Sequence, residues 1–125
     1  MKLLLDTHTF IWWDREPDLI PPATLQLIRQ SQLLLSLVSL WEIQIKTQLG
    51  KLNLNMPLLD LVEHHQANGM ELLTITLPHI LALEQLPQHH RDPFDRLLIA
   101  QGRVESTAIV SRDSIFKSYD CQVVW

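Results

Sequence analysis

One cysteine, Cys121, stands among 125 residues, so no internal disulfide can form and a cysteine-built zinc site is excluded. A lone thiol fits a reducing compartment, where it packs as a small apolar side chain. Long apolar runs are also missing, for no segment approaches the ~18 residues of a membrane span. The opening MKLLLDTHTFIWW begins like a secretion signal, but Asp6 interrupts it and no small-residue cleavage site follows. A soluble, cytoplasmic protein with no membrane partner is therefore expected. Basic excess is absent too: 10 Lys and Arg against 14 Asp and Glu leave a net charge of −4, which argues against binding nucleic acid by bulk charge. No repeat, linker or low-complexity tract divides the chain. With 46% hydrophobic residues, 1–125 is expected to fold as a single domain.

What is present alternates. Lys2 to Leu5, Leu33 to Ser36, Glu71 to Ile75, Ala108 to Val110 and Gln122 to Val124 are strand candidates. Between them, Thr7–Asp14, Ala23–Gln30, Ser39–Gln48, Pro57–Ala67, a segment started by Pro78 and Pro93–Val104 carry helical patterning. Gly50 and Gly69 stop two of these helices, and Leu86-Pro87 closes the Pro78 helix. Short apolar strands separated by helices predict an α/β fold, a short parallel β-sheet flanked by helices on both faces. Sites in such sheets lie at the carboxyl ends of the strands.

Acids occupy those ends. Asp6 follows the first strand, Glu42 lies in the first turn expected for the helix after the second, Asp95 starts the Pro93 helix, and Asp113 follows the Ala108–Val110 strand. Each has a local explanation as well. Asp6 and Asp113 suit N-caps, while Ser39-Leu40-Trp41-Glu42 and Asp92 to Asp95 both spell capping boxes. Asp92 is a structural cap candidate, with Pro93 at the first helical position. Four carboxylates at one sheet edge would repel one another unless a cation sat among them. Hard oxygen donors, with no cysteine cluster and no His-x-x-x-His pair on a helix, favour Mg²⁺ or Mn²⁺ over zinc. Such ions serve phosphate chemistry. Arg91, Arg96, Arg103, Arg112 and Lys117 interleave with Asp92, Asp95 and Asp113, a mixture suited to a metal beside phosphates.

The segments LLLDTHTFIWW, SLVSLWEIQIKTQLGKL, HRDPFDRLLIAQ and IVSRDSIFKSY, in this order, resemble a PIN-domain ribonuclease, a VapC-type toxin of a type II toxin-antitoxin system. The likeness runs from Met1 to Tyr119. It implies a PIN-like fold and a metal-dependent endoribonuclease in which Asp6, Glu42, Asp95 and Asp113 hold one or two Mg²⁺ or Mn²⁺ ions. Water would be the nucleophile, leaving a 5′-phosphate and a 3′-hydroxyl on the RNA. The likeness also implies restraint by a cognate VapB-type antitoxin and a homodimer. The family's third acid stands shortly before the Leu-Ile-Ala run, which selects Asp95 over Asp92. Two positions depart from the pattern: Ser111 stands where many relatives have Thr, and Gly102 interrupts a helix that commonly has Ala nearby.

Other residues have competing roles. Lys46 follows Glu42 by four, the favourable order for a helical ion pair, with phosphate contact the alternative. Arg91 and Arg96 flank the acids and are substrate-binding candidates for RNA phosphates. His8, His89 and His90 adjoin acidic positions and could position substrate or a bridging water. Trp12 and Trp13 cannot face the same way on a helix, so one is expected in the core and the other at an interface. Rival functions are fewer. A haloacid-dehalogenase-like phosphatase needs a second Asp two positions after Asp6, where His8 stands. A catalytically silent PIN-like interaction module would have lost an acid, and all four are present. A structure-specific DNA nuclease stays open, because phosphodiester hydrolysis does not need a 2′-hydroxyl.

Overall fold

Lys2–Leu5 forms β1 at the centre of a five-stranded parallel sheet in a computed structural model that describes residues 1–125. Gln32–Ser36 (β2), Glu71–Leu73 (β3), Ala108–Val110 (β4) and Val123–Val124 (β5) complete it in the order β3-β2-β1-β4-β5. Leu3 pairs with Leu33 on one side and Ala108 on the other, so both neighbours run parallel to β1.

The period of two sorts the side chains. Leu3, Leu5, Leu33, Leu35, Ala108 and Val110 point into one core, with Phe10, Ile28, Ile43 and Leu61 from the helices that cover it. Leu4, Leu34 and Ile109 point into a second core against Leu97, Leu98, Ile99, Ala100 and Phe116. Both faces are covered, as the apolar strands required. The helices are Thr7–Arg15 (α1), Pro22–Gln30 (α2), Leu37–Gln48 (α3), Leu58–Ala67 (α4), Leu77–Ala82 (α5) and Pro93–Val104 (α6). None is long and apolar enough to cross a membrane.

The structure corrects several details. α3 begins at Leu37, not Ser39: Ser36, the last residue of β2, is its N-cap and accepts from the Val38 N–H at 3.0 Å. Strand passes to helix without a loop, so Ser39 and Glu42 are buried inside the helix and form no capping box. β3 ends at Leu73, two residues short of Ile75. Beyond it Thr76 caps α5, its N–H donating to His79 Nδ1 at 3.0 Å. Neither Trp12 nor Trp13 enters the core, because Phe10 takes the inward position on α1. Both tryptophans are half-buried on its flanks, Trp12 against Trp125 at 5.8 Å between ring centroids and Trp13 against His65 at 4.8 Å.

Chain order 3-2-1-4-5 places a switch point between β1 and β4, since the chain leaves β1 for one side and returns on the other. There the strand ends are laced together. The Asp6 N–H donates to the Val110 carbonyl at 3.1 Å, and Thr9 Oγ1 donates to the same oxygen at 3.0 Å. The crevice beyond this edge is where ligands of open α/β sheets bind.

Candidate metal and active site

Asp6 has two tasks, one for each oxygen. Oδ1 caps α1 by accepting from the Thr9 N–H at 2.7 Å, while Oδ2 accepts from Ser111 Oγ at 2.5 Å across the switch point. The residue is buried, and burial raises its pKa against the opposing pull of those hydrogen bonds. Ser111 Oγ also accepts from the Asp113 N–H at 3.1 Å, so one hydroxyl ties the acid after β1 to the acid after β4. Ser for Thr at position 111 therefore keeps the group that does this work.

Glu42 is equally enclosed. Thr7 Oγ1 donates to Oε1 at 2.7 Å and lies 3.0 Å from Ser39 Oγ. Lys46 Nζ donates to Oε2 at 2.7 Å from one turn further along α3. The lysine thus forms the intrahelical pair and neutralises a carboxylate that is almost wholly out of water.

Asp95 stands in the first turn of α6, above the same edge. Asp92 is the cap of that helix, its Oδ1 accepting from the Phe94 and Asp95 N–H groups at 2.9 and 3.2 Å. Asp95 makes no return bond to the cap. Its pKa is pushed up to about 8, first by burial and then by the charges of Asp92, Glu42, Asp6 and Asp113. The four acids singled out in the sequence are thus close enough for three of them to act on the fourth. Asp113 is the exposed member and caps the short 3₁₀ turn Ser114–Ser118, Oδ1 accepting from the Ile115 N–H at 3.1 Å.

Asp6 and Asp113 open onto a cleft of about 380 Å³ shared with His8, Trp12 and Arg112. The Arg112 guanidinium lies 5.9 Å over the Trp12 ring. A larger hollow of about 520 Å³ lies at the other end of α1, around Asp14, Arg15 and Met56, away from the acids. No three acidic or histidine side chains converge on one point closely enough to complete a coordination shell by themselves. The donors at this edge are carboxylates, the hard oxygen ligands of which Mg²⁺ takes one or two while keeping several waters.

The basic candidates are placed differently from one another. Arg91 is exposed beside Asp92. Arg96 is tied inward, its Nη1 donating to the Pro87 carbonyl at 2.8 Å and to Tyr119 Oη at 3.0 Å. His8 is exposed in the cleft, His89 packs edge-on to Tyr119, and His90 lies 3.5 Å from Asp95. The hydroxyls of Thr7, Ser39 and Ser111 were not singled out as site residues by sequence. Their position one to three residues from an acid was the available signal.

A five-stranded parallel sheet with carboxylates gathered at its carboxyl edge defines the class: the chain belongs to the PIN domain family, whose model matches residues 3–121. Among solved structures it is similar to VapBC2 from Rickettsia felis bound to a DNA fragment from their promoter. There identity is 14%, coverage is 99% of this chain and 98% of that one, and the TM-score is 0.75. It is also similar to DNA-bound VapBC from Salmonella typhimurium, at 17% identity, 99% and 97% coverage and a TM-score of 0.71. FitAcB from Neisseria gonorrhoeae matches at 18% identity, 98% and 96% coverage and a TM-score of 0.65. No curated protein sequence matches the chain. At these identities the structural likeness establishes the shared fold.

Proposed function

We propose that the chain, as a single cytoplasmic PIN domain spanning 1–125, is a VapC-like toxin: a metal-dependent endoribonuclease that hydrolyses RNA phosphodiester bonds with an activated water. The observation that carries this reading is the gathering of Asp6, Glu42, Asp113 and Asp92 around Asp95 at the carboxyl edge of a PIN sheet. An Asp whose ionisation is opposed first by burial and then by surrounding carboxylates is costly to charge unless a cation offsets it. Asp6, Glu42, Asp95 and Asp113 would hold Mg²⁺ or Mn²⁺ directly or through water. When bound, the ion supplies activation of water and neutralisation of charge on the phosphoryl oxygens.

The chain's own groups do the rest. Ser111 and Thr9 fix both oxygens of Asp6, Thr7 fixes one oxygen of Glu42, and Lys46 holds the other. Exposed Arg91 is the better placed of the two arginines to meet an RNA phosphate, since Arg96 is engaged with Pro87 and Tyr119. A cognate VapB-type antitoxin is the expected partner, supported by the VapBC complexes among the similar structures. A homodimer is supported by the apolar side chains that α5 and its approach leave in water, Ile75, Leu77, Ile80 and Leu81.

Incubating the purified chain and Asp95→Asn with mixed RNA and with single- and double-stranded DNA, in Mg²⁺, Mn²⁺ or EDTA, tests this reading. RNA cutting that needs metal and Asp95 is expected. Equal cutting of DNA would favour the structure-specific DNA nuclease. No cutting by folded, antitoxin-free protein would favour the silent interaction module.

A further inference from the structure

His90 Nε2 is buried and has no hydrogen-bond partner. Such an atom in a native fold calls for an explanation. It faces Asp95 Oδ2 at 3.5 Å, just beyond a hydrogen bond. On the other side of the ring, Nδ1 lies 2.7 Å from Tyr119 Oη, which is itself 3.0 Å from Arg96 Nη1.

The donors along this row can be assigned in turn. Arg96 has only N–H groups, so at its contact with Tyr119 the phenol oxygen must accept. A phenol O–H can donate while its oxygen accepts, so the Tyr119 proton is free to point at His90. Nδ1 accepts it. In the neutral imidazole the ring proton therefore resides on Nε2 and is aimed at Asp95.

We infer that His90 is a positioning residue: Arg96 and Tyr119 fix its tautomer so that its Nε2–H orients the Asp95 carboxylate for a divalent cation. The inference rests on the metal reading above and gives Arg96 a task inside the fold. It also explains the spacing of the HRDPFD segment, where His90 comes ahead of the cap and Asp95 after it, so that the turn at Asp92 folds one back toward the other. Groups that orient a metal-binding carboxylate from behind typically change metal affinity about 10–100-fold when removed.

Two measurements test it, neither of which is turnover. Long-range ¹H–¹⁵N spectra of the histidine rings in the metal-free chain should show His90 protonated at Nε2 and bare at Nδ1, with that preference lost in Tyr119→Phe. A His90 ring protonated at Nδ1 instead overturns the inference. Mn²⁺ titration should show His90→Asn binding about 10–100-fold more weakly than wild type, and His90→Gln within a few-fold. Glutamine carries an N–H to where Nε2 sits, whereas asparagine reaches only the Nδ1 position. His90→Asn binding Mn²⁺ as tightly as wild type overturns the inference alone. Wild-type protein that binds no Mn²⁺ overturns the metal reading and takes the inference with it. If His90→Asn fails to fold, Tyr119→Phe answers both questions, with weakened Mn²⁺ binding expected and unchanged binding and tautomer contradicting.

Discussion

Asp95→Asn should stabilise the metal-free chain, and by more as pH rises. In the folded chain burial and then the charges of Asp92, Glu42, Asp6 and Asp113 push the pKa of Asp95 up to about 8 from an ordinary 3.8. Between these values the folded state holds a proton that the unfolded state has released. Stability from this group is therefore fully present below the ordinary value and is lost as pH rises through about 8. An ideal slope of about 1.4 kcal/mol per pH unit gives about 4 kcal/mol between about pH 5 and pH 8. The Asp95 side chain is 20% exposed, and solvent screening brings the figure down to about 2 kcal/mol. For a chain of this size that is about 8 °C in Tm. Calorimetry in EDTA at fixed ionic strength, from about pH 5 to about pH 8, should show the Tm advantage of Asp95→Asn growing by about that amount. Saturating Mg²⁺ should raise the wild-type Tm at the upper end of the range and leave the variant nearly unmoved. A difference that is flat with pH, or that shrinks as pH rises, would refute the crowding of Asp95.

Asp6→Asn keeps a side chain able to cap α1 but removes the charge, so RNA cleavage should fall by about two orders of magnitude or more. Its Tm should stay within about 4 °C of wild type, checked by thermal melts beside the cleavage assay. Asp92→Asn preserves the cap of α6 and should cut activity far less than Asp95→Asn, so equal losses in a side-by-side assay would reverse their roles. Gly102→Ala sets a Cβ 2.9 Å from Ile109 Cδ1 and Cγ1, where α6 crosses β4. The Thr107 carbonyl, 3.2 Å from that Cβ, cannot step aside as a side chain can, so overpacking offset by better helix propensity leaves a net cost of about 1 kcal/mol, read by urea denaturation.

Alternation made the strands legible. Leu3 and Leu5 serve one core and Leu4 the other, so a buried parallel strand reads as a continuous apolar run. The start of α3 was less legible, because Ser36 and Ser39 are both able to cap and Ser39 has an acid three residues on. The structure decides for Ser36 by running β2 directly into the helix. In the acidic site, position along the chain was legible and environment was not. Asp6 and Asp113 turned out to be caps while also facing the crevice, so capping does not withdraw a carboxylate from the proposed site. Arg96 shows what spacing cannot supply: its charge near Asp95 is visible in sequence, but Tyr119, 23 residues away, which it bonds, is brought there only by the fold. His90 was visible beside the motif, yet its aim at Asp95 depends on that same tyrosine.

The chemistry at the cut ends tests the central claim most directly. RNA cleaved by the purified chain in Mg²⁺ should carry a 5′-phosphate and a 3′-hydroxyl, read by ligation-dependent sequencing of both ends. Those ends follow from attack by water with the 3′-oxygen as leaving group, with no part for the neighbouring 2′-hydroxyl. A 2′,3′-cyclic phosphate and a 5′-hydroxyl, formed in EDTA as readily as in Mg²⁺, would contradict the account.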